Sequence, residues 1–148
     1  MKKFFQSIIW IIPISYMILI FILSSLPHNA VIELPNSKWD VFIKEGLHLV
    51  EFGILYVLFA VALVINRKLT ARTSFIIACI SALYGLSDEI HQYFIPYRSA
   101  TVIDLIKDWI GVLAAWAHVK YHYFYRKRSI LNKLEKAFKA YLIIKKAL

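Results

Sequence analysis

The chain is poor in the residues that build loop-rich, cross-linked or freely soluble domains. It holds one cysteine, four glycines, four prolines and nine acidic residues in 148 positions, and charged residues of both signs make up 18%. A single cysteine excludes an intramolecular disulfide framework, and the place of Cys79 in an apolar run predicts a buried packing residue. So little Gly and Pro leaves scant turn material for an all-β domain. With 60% hydrophobic residues and a mean hydropathy of +0.62 the chain is not disordered. It also departs from soluble domains, which are roughly 45–50% apolar and roughly 25% charged.

What the chain does have is long apolar runs. About 20 such residues cross a bilayer as a helix, because a helix satisfies every backbone polar group inside the segment. Four segments fit: Phe4 to Leu26, about Glu45 to Ile65, about Ser74 to Ile95 and about Thr101 to Tyr123. The sequence therefore predicts an all-α fold, an integral membrane four-helix bundle over 1–128, with a basic amphipathic interfacial helix over 129–148. A polar connection (Pro27 to Lys44), a short basic one (Asn66 to Thr73) and a tight turn at Pro96 separate the segments. The first run exceeds the roughly 7–15 residues of a signal-peptide core and lacks a small-x-small cleavage site, so it reads as a retained anchor.

Charge placement gives the orientation. With the N-terminus in the cytoplasm, fourteen of the 18 basic residues fall on cytoplasmic parts, leaving Lys38, Lys44, Arg98 and Lys107 outside. This agrees with the positive-inside rule and puts both termini of a multi-pass membrane protein in the cytoplasm. Eight of the nine acids lie in the outward half, so ionisable chemistry is expected at the extracytoplasmic end of a bundle whose cytoplasmic half is dry and apolar.

In the tail, Leu131, Leu134, Phe138, Tyr141 and Leu142 form a stripe from which Lys133, Lys136, Lys139 and Lys146 mostly diverge. This is the pattern of a helix lying on anionic inner-leaflet lipids. A net charge of +9 would suit nucleic acid in a soluble protein. Here the basic residues follow an aromatic belt of Tyr121, Tyr123, Phe124 and Tyr125, so the membrane surface is the expected partner and nucleic acid is not.

Ionisable side chains within apolar segments cost about 2.5–3.5 kcal/mol each on insertion scales and are functional candidates by default. His48 and Glu51 share a helix face. Asp88, His91 and Gln92 lie on one stripe of the third segment, with Glu89 about 100° away. Asp104 and Asp108 are four apart on the fourth, and Gly111 continues their face. Arg98 sits in the turn between those two segments. Singly, each has a structural alternative: a His48–Glu51 pair, a helix-start carboxylate at Asp104, an interfacial Lys107–Asp108 feature, a snorkelling Arg98. Together they exceed what interhelical pairing requires.

The run Ser87-Asp88-Glu89-Ile90-His91-Gln92-Tyr93-Phe94-Ile95-Pro96-Tyr97-Arg98, followed by Asp104 and Gly111, resembles the VanZ-like family of small bacterial membrane proteins. His48-Leu49-Val50-Glu51-Phe52-Gly53 resembles that family's His-x-x-Glu-aromatic element. The resemblance covers about residues 10–118 and implies site positions at His48, Glu51, Asp88, Glu89, His91, Gln92, Arg98 and Asp104. It also implies association with the cell envelope and a link to teicoplanin-type glycopeptide resistance. Three positions depart from the pattern: Tyr97 replaces a turn glycine, Asp108 an asparagine, and Glu45 a residue that is often basic.

Several chemistries remain open to this set. There is no Gly-x-Ser-x-Gly elbow for a serine hydrolase. A divalent metal on His48, His91 and a carboxylate lacks any tight ligand spacing, so no cofactor is the primary expectation. Metal-free phosphoryl transfer on a lipid-linked phosphate fits better, with His48, Glu51, Asp88, Glu89, His91 and Asp104 as catalytic groups and Gln92, Arg98 and Asp108 holding substrate. The competing readings are non-catalytic binding of a lipid-linked envelope precursor or glycopeptide, and proton-coupled transport, for which four short helices would need an oligomer.

Overall fold

The computed structural model describes residues 6–26, 37–96, 98 and 100–147, with side chains for all of these except 37–45, 48 and 144–147. Among them are five α-helices and no strand: α1 (Ile11–Ser25), α2 (Ser37–Ile65), α3 (Ala71–Tyr93), α4 (Val102–Val119) and α5 (Ile130–Ala147). A π-helical stretch, Lys120–Tyr125, continues α4. The all-α expectation holds.

The helix ends follow local chemistry. Pro13 occupies the first turn of α1, where its missing N–H would have had no intrahelical partner. Beyond α2, Arg67 takes the left-handed conformation (φ 56°), its N–H donating to the Val64 carbonyl at 2.9 Å and that of Lys68 to Leu63 at 2.8 Å. This is a Schellman ending built without glycine. α3 opens with a reciprocal capping box between Thr70 and Thr73. α2 begins at Ser37, well before the expected Glu45. The polar stretch Ser37 to Lys44 contains no Gly or Pro to stop a helix; its polarity marks a change of surroundings, not of backbone.

α2 is the hub, packing against α1, α3, α4 and α5. Phe52, Leu55, Tyr56, Ala60 and Val64 form its buried face. Against α4 the backbones meet directly, because Gly53 faces the Gly111 carbonyl and Gly111 faces the Leu49 carbonyl. Outward, α1 exposes Ile11, Ile14, Ile18 and Ile22, and α4 exposes Ile103, Ile106, Ile110 and Leu113. Two helical stretches, Gln6–Ser25 and Ala71–Tyr93, are long and apolar enough to cross a membrane, and Leu49–Ile65 is a shorter apolar run.

Two expectations are corrected. Cys79 is exposed, because the buried face of α3 runs through Ser74, Ile77, Ala78, Ser81 and Gly85 and leaves Cys79 off it. The end of the bundle away from the site is not uniformly apolar: Tyr56 and Ser74 share a buried 2.7 Å hydrogen bond, and Asn66 Nδ2 donates to the Gln6 carbonyl at 3.1 Å. The start of α5 docks on the bundle. Leu131 is buried, Asn132 Nδ2 donates to the Tyr123 carbonyl at 3.2 Å, and the Tyr123 hydroxyl donates to Glu135 at 2.8 Å.

Candidate functional site

Polar side chains gather at the end of the bundle where α1 and α3 finish and α4 begins. α3 supplies Asp88, Glu89 and Gln92, all buried; Asp88 and Gln92, four residues apart, share one side of the helix. Gln92 Nε2 donates to Asp88 Oδ2 at 2.6 Å, as expected for their stripe. Its Oε1 accepts from Arg98 Nη1 at 3.4 Å.

The remaining contacts of Arg98 run to α1. Nε donates to the Leu26 carbonyl at 2.9 Å and Nη2 to the Leu23 carbonyl at 2.5 Å. Terminal helix carbonyls lack intrahelical donors and carry the negative end of the dipole, so a guanidinium there is both a cap and a counter-charge. Arg98 thus ties the α3–α4 turn to the end of α1, and that edge of its fork is engaged with the protein itself.

Glu89 points, as its 100° offset predicts, to a different neighbour: Oε2 accepts the Thr101 backbone N–H at 3.2 Å. Thr101 caps α4, its hydroxyl accepting from the Asp104 N–H at 3.1 Å and donating to Asp104 Oδ2 at 2.6 Å. Asp104 also pairs with Lys107 at 3.0 Å. Asp104 therefore occupies a helix-start position, where a carboxylate is favoured in any case. Asp108, one turn on, is fully buried. A Cβ on Gly85 would lie 3.3 Å from the Asp108 Cβ, 3.5 Å from its Oδ2 and 3.6 Å from Phe52 Cγ, so the absent side chain is what admits the carboxylate between α2, α3 and α4.

His91 turns away from this set. Its Nε2 is 2.9 Å from the Ser25 hydroxyl of α1, and its ring stacks on Phe21 with centroids 4.6 Å apart. Glu51 is half-buried and acts electrostatically on Tyr16 and Tyr84, which places it toward the interior shared by α1, α2 and α3. The side chains of His48, Lys44 and Glu45, and Tyr97 altogether, lie outside the described residues. So do the connection over 27–36 and the first residues of the predicted anchor.

The structure thus joins Asp88, Gln92 and Arg98, links Glu89 to the start of α4, places Asp108 beside α3 and sends His91 to α1. Among the described residues, no three His, Cys, Asp or Glu form a metal-holding group. Sequence reasoning missed Ser25, Thr101 and Gly85. Thr101 was findable as a threonine three residues before Asp104; Ser25 and Gly85 acquire meaning only from residues more than 20 positions away.

A family model described as VanZ/LLP1 matches residues 3–125. Comparison with curated proteins and with solved structures finds no match.

Proposed function

Because the chain belongs to the VanZ/LLP1 family, we propose that it is a multi-pass membrane protein of the bacterial cell envelope, with both termini cytoplasmic. In this reading its polar cluster binds the head of a lipid-linked envelope precursor at the extracytoplasmic face, altering glycopeptide susceptibility without turnover. The observation that carries the binding reading is the set of buried acceptors on α3: Asp88, Glu89 and Gln92 are all buried at the end of the bundle, Glu89 reaches the start of α4, and Nε and Nη2 of Arg98 are engaged by α1 carbonyls. Such a set suits a head group rich in hydrogen-bond donors.

The membrane reading is supported by the many isoleucines, leucines and phenylalanines exposed along α1, α3 and α4, which suit a lipid surround. The Lys-rich outer face of α5, with Tyr141 and Ile143 exposed, suits contact with anionic inner-leaflet lipids beyond its docked first turns. Reporters fused after Trp39 should be extracytoplasmic and those after Arg67 cytoplasmic; the opposite pattern overturns the orientation. For function, the chain in vesicles should bind a lipid-linked peptidoglycan precursor. Expression should shift teicoplanin susceptibility, with Asp88→Asn and Glu89→Gln losing both effects at normal abundance. Retention of both by these variants would make the cluster structural.

A further inference from the structure

We propose that Ser25 and His91 form a nucleophile–base pair able to cleave a neutral carboxylic ester presented at the head-group level of the membrane. The inference does not rest on the binding reading above, since it uses a different pair of side chains on the α1 side of the bundle.

The pair has the geometry that activated serines require. Ser25 Oγ lies 2.9 Å from His91 Nε2, inside hydrogen-bond reach of a general base. The two residues are 66 positions apart and sit on different helices, so the fold, not local sequence, brings them together. Phe21 stacks on the imidazole at 4.6 Å and fixes the ring plane. Both residues are half-buried, at the end of an apolar helix whose next residue, Leu26, is exposed. A substrate lying in the bilayer can therefore approach from the side.

The hydroxyl has one proton. Ser25 Oγ is also 2.7 Å from the Phe21 carbonyl, to which it donates at rest. A turn about its side-chain torsion redirects that proton to His91 when Nε2 is unprotonated, the tautomer carrying the proton on Nδ1. A positive group stands nearby: Arg98 donates to the carbonyls of Leu23 and Leu26, on either side of Ser25 in the same last turn.

The reaction then balances. Ser25 Oγ bonds to the ester carbonyl carbon while its proton passes to His91 Nε2, and the carbonyl oxygen takes the negative charge within the field of Arg98. The carbon–oxygen bond to the alcohol breaks, and His91 returns the proton to that oxygen. Water next gives a proton to His91 and its oxygen to the acyl group, and Ser25 leaves as it recovers the proton. The net change is ester plus water to acid plus alcohol. A carboxylic ester matches what the pair supplies, one hydroxyl nucleophile and one imidazole base, the two groups that acyl transfer requires.

The test uses the full chain purified in detergent and a fluorophosphonate–fluorophore probe. Wild type should be labelled at Ser25, located by peptide mass, and should hydrolyse p-nitrophenyl butyrate. Ser25→Ala should abolish both, Ser24→Ala should leave both intact, and His91→Gln should slow labelling by about 100-fold or more, the usual scale of a lost general base. Ser25→Cys keeps the packing; it should lose the fluorophosphonate reaction and gain a thiol reactivity that His91→Gln suppresses. Folded wild type that takes no label, or label that survives Ser25→Ala, overturns the proposal. Loss of thermal stability in Ser25→Ala without labelling of wild type would show the pair to be an interhelical tie only, and overturns it equally.

Discussion

Gly111 of α4 lies so close to the Leu49 carbonyl of α2 that a Cβ would overlap it. The obstacle is backbone within a helix, which cannot swing aside as a long side chain does. Gly111→Ala must therefore spread α2 from α4, at about 1–3 kcal/mol for an overpacked contact. Gly46→Ala is the control, because a Cβ there meets nothing within 4 Å. It should be neutral or stabilise by up to about 1 kcal/mol through helix propensity. Thermal unfolding of both variants in one detergent checks the contrast. Equal melting temperatures would show that the two helices do not meet at Gly111.

Arg98 joins three elements through one guanidinium, which makes its substitutions ordered rather than equivalent. Arg98→Ala removes two short charge-assisted bonds to the Leu23 and Leu26 carbonyls, each worth about 1.5–3 kcal/mol when made to a charged group. Arg98→Lys keeps the charge near the α1 end but cannot reach two carbonyls and Gln92 from one planar fork, so it should fall between Ala and wild type. Membrane abundance and detergent melting temperature should follow the order Arg, Lys, Ala. A phenotype lost in Arg98→Ala at unchanged abundance and melting would instead assign the residue to a ligand.

Much of the architecture was legible because it rests on composition. Four apolar runs and one amphipathic run predict helices wherever the backbone must be satisfied internally, and the ends at Thr70 and Thr101 carry local capping signals. Asp88 with Gln92 was legible from spacing. The start of α2 was not, since polarity over Ser37 to Lys44 resembles a loop until neighbours are known. Nor was the fate of His91: helix periodicity sets an angle but does not say which neighbouring helix lies there, and α1 claimed the ring through Ser25 and Phe21. Cys79 failed for a related reason. In a helix that is apolar on several sides, apolar character does not distinguish inside from outside, so burial is decided by which residues meet the neighbouring helices.

At the opposite end of the bundle the docking of α5 should depend on pH. Lys139, in a close ion pair, and the Tyr123 hydroxyl at 2.8 Å hold the Glu135 carboxyl below its ordinary range. A folded pKa lower than the unfolded one means that the contribution to stability is complete above the unfolded value, near 4.5, and disappears as pH falls through the folded value. Protease protection of the segment from Ser129 onward should weaken on acidification in this window. Glu135→Gln should be less protected at neutral pH and insensitive to the change. A pH response of equal size in the Gln variant would locate its origin elsewhere.

Gly85 controls the position of the buried Asp108 carboxylate and thereby separates packing from function. An alanine Cβ would stand 3.3 Å from the Asp108 Cβ and 3.6 Å from Phe52 Cγ, tighter than a relaxed contact but against side chains that can yield by a few tenths of an ångström. Gly85→Ala should therefore cost little stability, offset in part by better helix propensity, while displacing the carboxylate. Gly85→Leu has no such escape and should lower abundance outright. Asp108→Asn keeps the volume and removes the charge. If the carboxylate contributes to the proposed binding site, Gly85→Ala and Asp108→Asn should both reduce teicoplanin tolerance and precursor binding at wild-type abundance. Full activity in both would mean that Asp108 serves only to join α4 to α2 and α3.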